Sequence, residues 1–224
     1  MGDPGAGGSG TALSSLLPPG IELPKIQNVV ATCYLNVPLD LQELNSRLKN
    51  AEYNPRRFKA VIIRNAEPKA TALVFHTGRI VVTGTKGEQK ARECARFFAK
   101  RIKKALGFGD ELKFSEFRIQ NVVGSSEVGF PVRLEGLKLT HSKVCRYEPE
   151  IFPGAIYYLG DPKVVLLIFV SGKVVITGAK SESMVSEAFC KMFVLLQEFQ
   201  MARSEVDAEK ARVKQQVQEK KKGK

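Results

Sequence analysis

Ile26-Gln27-Asn28-Val29-Val30 recurs 93 residues later as Ile119-Gln120-Asn121-Val122-Val123. Leu41 and Leu44 fall on Leu134 and Leu137 at the same offset. A one-residue slip follows and the offset becomes 94. Tyr53, Phe58, Pro68, Lys69, Leu73, Phe75, Gly78, Val81 and Thr83 then fall on Tyr147, Phe152, Pro162, Lys163, Leu167, Phe169, Gly172, Val175 and Thr177. A period of this length is too long for a solenoid. It predicts two tandem copies of one domain-sized unit, related by a pseudo-twofold axis.

Each copy has the same expected layout. A β-branched strand covers Ile26 to Tyr34. A short helix follows, with Leu41, Leu44 and Leu48 on one side. Strand-like runs occupy Phe58 to Arg64, Thr71 to His76 and Arg79 to Thr83, and Thr77-Gly78 makes a hairpin between the last two. A long helix from Lys86 to Leu106 carries the stripe Cys94, Phe98 and Ile102, and Gly107 stops it. The second long helix, Lys180 to Phe199, carries Val185, Phe189, Met192, Leu196 and Phe199.

The strands set a packing problem, because residues i and i+2 share a face. Leu73, Phe75, Val81 and Thr83 oppose Ala72, Val74, Ile80 and Val82. In the second copy Leu167, Phe169, Val175 and Thr177 oppose Leu166, Ile168, Val174 and Ile176. Both faces are apolar, yet each copy has helices enough for one. Either the copies bury the second face against each other, or it stays exposed as a binding surface. The polar pairs Asn28/Asn121 and Thr83/Thr177 within that face favour exposure, since dry amides need partners. An amide there can donate to the A N3 and T O2 acceptors of a DNA minor groove.

The 224 residues carry 35 Lys+Arg against 23 Asp+Glu, a net +12 that points to a polyanionic or acidic partner. Four bounds organise the chain: a Gly/Ser/Pro-rich tail at 1–20 expected to be disordered, repeats at 21–117 and 118–204, and a basic tail at 205–224. The first repeat holds 18 basic and 10 acidic residues, the second 10 and 8. Cys33, Cys94, Cys145 and Cys190 are scattered, so neither a disulfide framework nor a metal site is expected. The longest apolar run, Val164 to Val170, is far short of a membrane span of about 20 residues. No secretory leader opens the chain, so a reduced intracellular setting is expected. Two histidines and no nucleophile motif argue against an enzyme, and no cofactor is expected.

Ile26-Gln27-Asn28-Val29-Val30-Ala31-Thr32, Asn50-Ala51-Glu52-Tyr53-Asn54-Pro55, Tyr147-Glu148-Pro149-Glu150-Ile151-Phe152-Pro153-Gly154 and Val165-Leu166-Leu167-Ile168-Phe169-Val170-Ser171-Gly172-Lys173 resemble the core of the TATA-box-binding protein family. The similarity runs from residue 24 to about 200. It implies an α+β saddle of two pseudosymmetric repeats, a curved antiparallel β-sheet with four helices on the convex face. This family is itself the standing example of minor-groove binders that kink DNA with apolar wedges. The resemblance implies Phe58/Phe75 and Phe152/Phe169 as the wedges. Asn28, Asn121, Thr83 and Thr177 match the central hydrogen-bonding positions, flanked by Gln27 and Gln120. Val30, Val123, Leu73, Leu167, Val81, Val175 and Pro153 match the groove floor. Arg64, Lys69, Arg79, Lys163 and Lys173 match the phosphate contacts.

It also implies double-stranded promoter DNA, transcription factors IIA and IIB and other regulators as partners, a nuclear location and no membrane; a homodimer off DNA stays open. Glu148, Glu150 and Ile151 lie in the loop gripped by transcription factor IIB. Lys90, Arg96 and Lys100 belong to a basic helix with eight Lys/Arg, suited to acidic regulators. Its counterpart has two basic and three acidic residues. Departures from the pattern are Lys59, where a small residue is usual, His76, Tyr158 in place of an Arg, and a longer Gly109-Asp110-Glu111 linker. They keep a second reading open, a family relative with weakened TATA preference that acts mainly as a protein scaffold. In the C-terminal tail, Val206, Val213 and Val217 make a thin stripe expected to be a frayed helix, and Lys220 to Lys222 suit nuclear import.

Overall fold

The computed structural model describes residues 17–202, 204–206 and 211. The chain of the N-terminal tail up to residue 16, together with Val213, Val217 and Lys220 to Lys222, lies outside the described residues. The elements in order are β1 (Lys25–Tyr34), α1 (Leu41–Arg47), β2 (Ala51–Glu52), β3 (Ala60–Asn65), β4 (Ala70–Phe75), β5 (Arg79–Thr85), α2 (Glu88–Leu106), β6 (Ser115–Glu127), α3 (Leu134–Thr140), β7 (Cys145–Arg146), β8 (Gly154–Leu159), β9 (Val164–Phe169), β10 (Lys173–Ala179) and α4 (Glu182–Gln197). The class is α+β, an open antiparallel sheet with four helices among the described residues.

Contacts divide the chain into two compact units. One is Ile26–Val122; the other joins the described residues up to Lys25 with the described residues from Val123 onward. Strand order is β2-β3-β4-β5-β1-β6 through the first and β6-β10-β9-β8-β7 through the second, with β6 contributing to both. The register repeats. Ile62 pairs with Leu73 and Leu73 with Val81; Ile156 pairs with Leu167 and Leu167 with Val175. A bulge in β1 between Val29 and Ala31 keeps Ala31 against Val82 and Cys33 against Ile80, on the core side.

Alternation decides what each face does. Ala70, Ala72 and Val74 of β4 are buried, as are Ile80 and Val82 of β5, while Leu73, Phe75, Val81 and Thr83 are half-buried. The buried set packs under α1 and α2, whose Leu41, Leu44, Cys94, Ala95, Phe98 and Ile102 complete one core. In the second unit Leu166, Ile168, Val174 and Ile176 are buried with Val185, Phe189, Met192 and Leu196 of α4. The expected stripes are therefore core, apart from Leu48, which caps the end of α1, and Phe199, which lies beyond the end of α4; both are only half-buried. Asp40 caps α1 by accepting from the Gln42 and Glu43 amides at 2.9 Å. Ser181 caps α4, accepting from the Met184 amide. Gly107, in the left-handed region, ends α2 as expected.

One detail corrects the sequence reading. The expected strand from Phe58 begins at Ala60; Phe58 sits in a turn closed by its own amide on the Asn54 carbonyl at 2.9 Å. At the start of the C-terminal tail, the Glu205 carboxylate accepts from Arg133 at 3.3 Å and from the Ala202 amide at 3.2 Å.

The two hairpins that carry the half-buried face turn through Gly78 and Gly172, at φ 81° and 90°. Any Cβ there would run into the carbonyl oxygen of Val37 or Phe130. Gly172→Ala is therefore expected to destabilise the protein by about 2 kcal/mol or more, strain and clash combined. Gly160→Ala, with nothing near its Cβ position, should stay within about 0.5 kcal/mol of wild type. Urea unfolding midpoints of both variants check this.

Candidate nucleic-acid interface

Each unit leaves one sheet face half open, and that face carries the aromatic pairs. Phe58 and Phe75 meet edge to face with centroids 6.2 Å apart at 68°; Phe152 and Phe169 do so at 5.7 Å and 62°. The pairing follows from register. Phe75 lies opposite Ala60 and Phe169 opposite Gly154, and each strand-entering Phe sits two residues before that small partner. A Cβ on Gly154 would sit 2.9 Å from Phe152 Cε1 and 3.1 Å from Phe169 Cε1. The glycine lets the second pair close more tightly than the first. Phe58 is 42% exposed, a costly placement for a large apolar ring unless something covers it.

Around the rings lies a mainly apolar floor. Val30, Leu73, Val81, Val123, Leu167 and Val175 are all half-buried, and Pro153 is exposed beside Phe152. Ile62 and Ile156 complete the rows Ile62-Leu73-Val81 and Ile156-Leu167-Val175. Sequence reasoning missed these two, although strand alternation from Arg64 and Tyr158 would have found them.

Asn28 gives the face its direction. Its Oδ1 accepts from the Gly84 amide at 2.8 Å and from the Thr83 hydroxyl at 3.2 Å. With two donors on the oxygen, the amide can orient one way only, and its Nδ2 hydrogens carry no partner among the described residues. That end is a pair of fixed donors on an apolar surface, while Thr83 serves to hold it. Asn121 and Thr177 occupy the equivalent strand positions and are half-buried. Gln120 donates to the Thr32 hydroxyl at 2.8 Å, so it has a packing role inside the first unit.

The expected phosphate cations are exposed, but their surroundings differ. Arg64 is ion-paired with Glu52 at 3.0 Å. Arg79 lies over the Tyr34 ring at 5.9 Å. Lys69 stands at a groove formed with Glu67, Pro68, Lys86, Lys90, Phe97 and Cys94 beside α2, while Lys163 and Lys173 are simply exposed. On α2 the eight basic residues are not all available. Arg92 covers the Phe117 ring at 4.5 Å and Arg96 the Phe114 ring at 5.9 Å. Arg101 donates to the Lys49 carbonyl at 3.0 Å, and Lys103 pairs with Asp110 at 3.4 Å. Lys86, Lys90, Lys100 and Lys104 have no such partner among the described residues. In the acidic loop, Ile151 is 78% exposed at a turn where both its amide and that of Phe152 donate to the Glu148 carbonyl at 2.9 Å.

All four cysteines are free and buried, and burial pushes the Cys33 thiol up to about 12 and that of Cys145 to about 11, so neither is a nucleophile at neutral pH. No group of three metal-ligating side chains occurs among the described residues. No helix among them is long and apolar enough to cross a membrane.

Comparison with known proteins gives the family. The model of the family described as "Transcription factor TFIID (or TATA-binding protein, TBP)" matches residues 23–105 and again 116–199. The TATA-box-binding protein of Acetabularia peniculus is 52% identical over 185 residues, which is 83% of this chain and 95% of that protein. TATA box-binding protein-like 2 of Danio rerio is 52% identical over 79% of this chain, and the chain spans only 56% of its length. The solved structure of Methanococcus jannaschii TBP superposes with a TM-score of 0.68 at 37% identity, covering 79% of this chain and 99% of that one.

The double acceptance at Asn28 is separable from its free donors. Asn28→Ala strands the Gly84 amide and Thr83 hydroxyl and should cost about 1 kcal/mol. Asn28→Asp keeps both accepted bonds and should stay within about 0.5 kcal/mol of wild type in the same urea titration.

Proposed function

The chain belongs to the TATA-binding protein family, and from that premise we propose that it binds AT-rich promoter DNA in the minor groove, bends it, and nucleates assembly of a transcription initiation complex. The family is one of DNA-binding transcription factors rather than enzymes. The observation that carries the reading is the pair of edge-to-face phenylalanine contacts set on a half-exposed apolar face, one in each unit. Phe58/Phe75 and Phe152/Phe169 act as wedges that enter base steps, unstack them and kink the duplex. The valine, leucine and isoleucine rows then lie against the widened groove floor.

Selectivity follows from the fixed donors. Asn28 Nδ2 meets A N3 and T O2, acceptors that A·T and T·A pairs share, so the readout is AT-rich rather than base-exact. At G·C the guanine amino group intrudes and presents a donor to a donor. Asn121 serves the same role from β6. Arg64, Lys69, Arg79, Lys163 and Lys173 hold the backbone and supply salt-dependent affinity. Glu148, Glu150 and the exposed Ile151 form the surface for transcription factor IIB. Transcription factor IIA and other acidic regulators take basic surface, and on α2 the lysines Lys90 and Lys100 are the open contacts, while Arg96 is committed to Phe114. The protein acts in the nucleus.

Gel-shift titration on AT-rich and GC-rich duplexes tests the reading. Tighter binding to the AT-rich duplex is expected; equal affinity would overturn sequence-selective binding and favour the scaffold reading motivated by Lys59 and Tyr158. Asn28→Asp, which keeps its fold, presents an acceptor to acceptors and should weaken AT-rich binding by about tenfold or more. Phe58→Ala and Phe169→Ala should each reduce DNA bending measured by end-to-end FRET. Unchanged bending in both would remove the wedge assignment.

A further inference from the structure

The two repeats treat one sheet edge in opposite ways. In the first, Glu52 of β2 and Arg64 of β3 form an ion pair at 3.0 Å with both side chains 61% exposed. Under the 94-residue offset these positions become Arg146 of β7 and Tyr158 of β8. The cation has moved to the strand that carried the carboxylate, and an aromatic ring stands where the cation was. Arg146 lies with its guanidinium carbon 5.8 Å from the centroid of the Tyr158 ring. No carboxylate pairs with it among the described residues.

The placement puts Arg146 on the open face. Cys145 is buried on the core side, and strand alternation sends Arg146 to the other side. Arg146 lies opposite Ile156, which continues through Leu167 to Val175, the row assigned above to the groove floor. Tyr158 is 43% exposed on the same side, in the row of Val165 and Thr177, and its amide donates to the Val144 carbonyl at 2.8 Å, which locks β7 against β8.

We infer that Arg146 is a DNA-backbone contact of the second repeat, held over Tyr158 so that it replaces the cation missing from position 158. The inference rests on the proposed DNA-binding function. The chemistry distinguishes the two edges. A guanidinium lying over an aromatic ring keeps its N–H donors free for bidentate binding of phosphate. A guanidinium paired with a carboxylate has to surrender that partner first, and the carboxylate then repels the incoming phosphate. At this edge the first repeat therefore offers a neutral pair, and the second offers one uncompensated positive charge. Tyr158 is a positioning residue, acting through Arg146.

The test is fluorescence anisotropy with the full chain on one AT-rich duplex over a series of KCl concentrations. Arg146→Ala should reduce the slope of log affinity against log salt by about one and weaken binding roughly three- to tenfold. Arg64→Ala should change the slope by less, because Glu52 already compensates that charge. Glu52→Gln should tighten binding. Tyr158→Phe keeps the ring and should match wild type, whereas Tyr158→Ala should fall between wild type and Arg146→Ala. A wild-type chain that binds while Arg146→Ala leaves both slope and affinity unchanged overturns the assignment alone. Equal behaviour of Tyr158→Ala and Tyr158→Phe overturns the positioning role. Failure of the wild-type chain to bind DNA overturns the proposed function and the assignment with it.

Discussion

The structure depends on one mismatch: strands that are apolar on both sides, and helices sufficient for one side. In β4, β5, β9 and β10 the period of two divides the residues cleanly. Ala72, Val74, Ile80 and Val82, with their counterparts, meet the helices. Leu73, Phe75, Val81 and theirs lie half-buried on the opposite face. Burying apolar area at roughly 25 cal/mol per Å² is the main driving force of folding, so leaving such a face half open forgoes stability. The face becomes sensible when its burial is deferred to a ligand. A minor groove opened by unstacking is shallow and broad, and its sugar edges are weakly polar. Such a surface matches valine and leucine rows better than a charged one.

A shared scaffold then allows the copies to diverge where packing does not constrain them. The core positions match from repeat to repeat. The edges do not: Glu52 and Arg64 against Arg146 and Tyr158, or Phe97 beside an open groove against Lys191, which bridges Asp161 and Glu187. Helix α2 is basic, while α4 is slightly acidic. Two such units, alike in their half-open sheet faces, differ at their edges and helices. A bound complex of this kind has a direction even on a nearly symmetric site.

Much of this was readable in the sequence because it rests on periodicity. The repeat, the hairpins, the helix stripes and the two-faced strands all follow from spacing. The phenylalanine pairs came from the family resemblance, and strand register explains why they meet. What spacing could not carry was geometry between elements. Phe58 stands outside its strand because a turn on the Asn54 carbonyl intervenes. Gly154 matters through ring atoms from two other segments. The direction of the Asn28 amide depends on Thr83 and Gly84, 55 and 56 residues away. Arg146 was passed over because its neighbour Tyr158 read as a loss, and only the β7–β8 register turns that loss into an exchange.

The same limit applies to charge. A count of eight basic residues on α2 reads as one polyanion-seeking surface. In the fold, Arg92 and Arg96 lie on Phe117 and Phe114 and fix the inter-repeat segment, and Arg101 and Lys103 tie the helix to neighbouring loops. Half of that charge is structural, and the remaining lysines are spread along the helix. Part of the net +12 thus holds loops, and under the proposed function the rest is left for partners and phosphate. None of it distinguishes one base pair from another, since phosphate is the same along the duplex. Sequence preference has to come from uncharged groups in a dry contact, where a misplaced donor cannot be solvated. In this protein the best-defined such group is the Asn28 amide, held at its oxygen by the backbone of its own sheet.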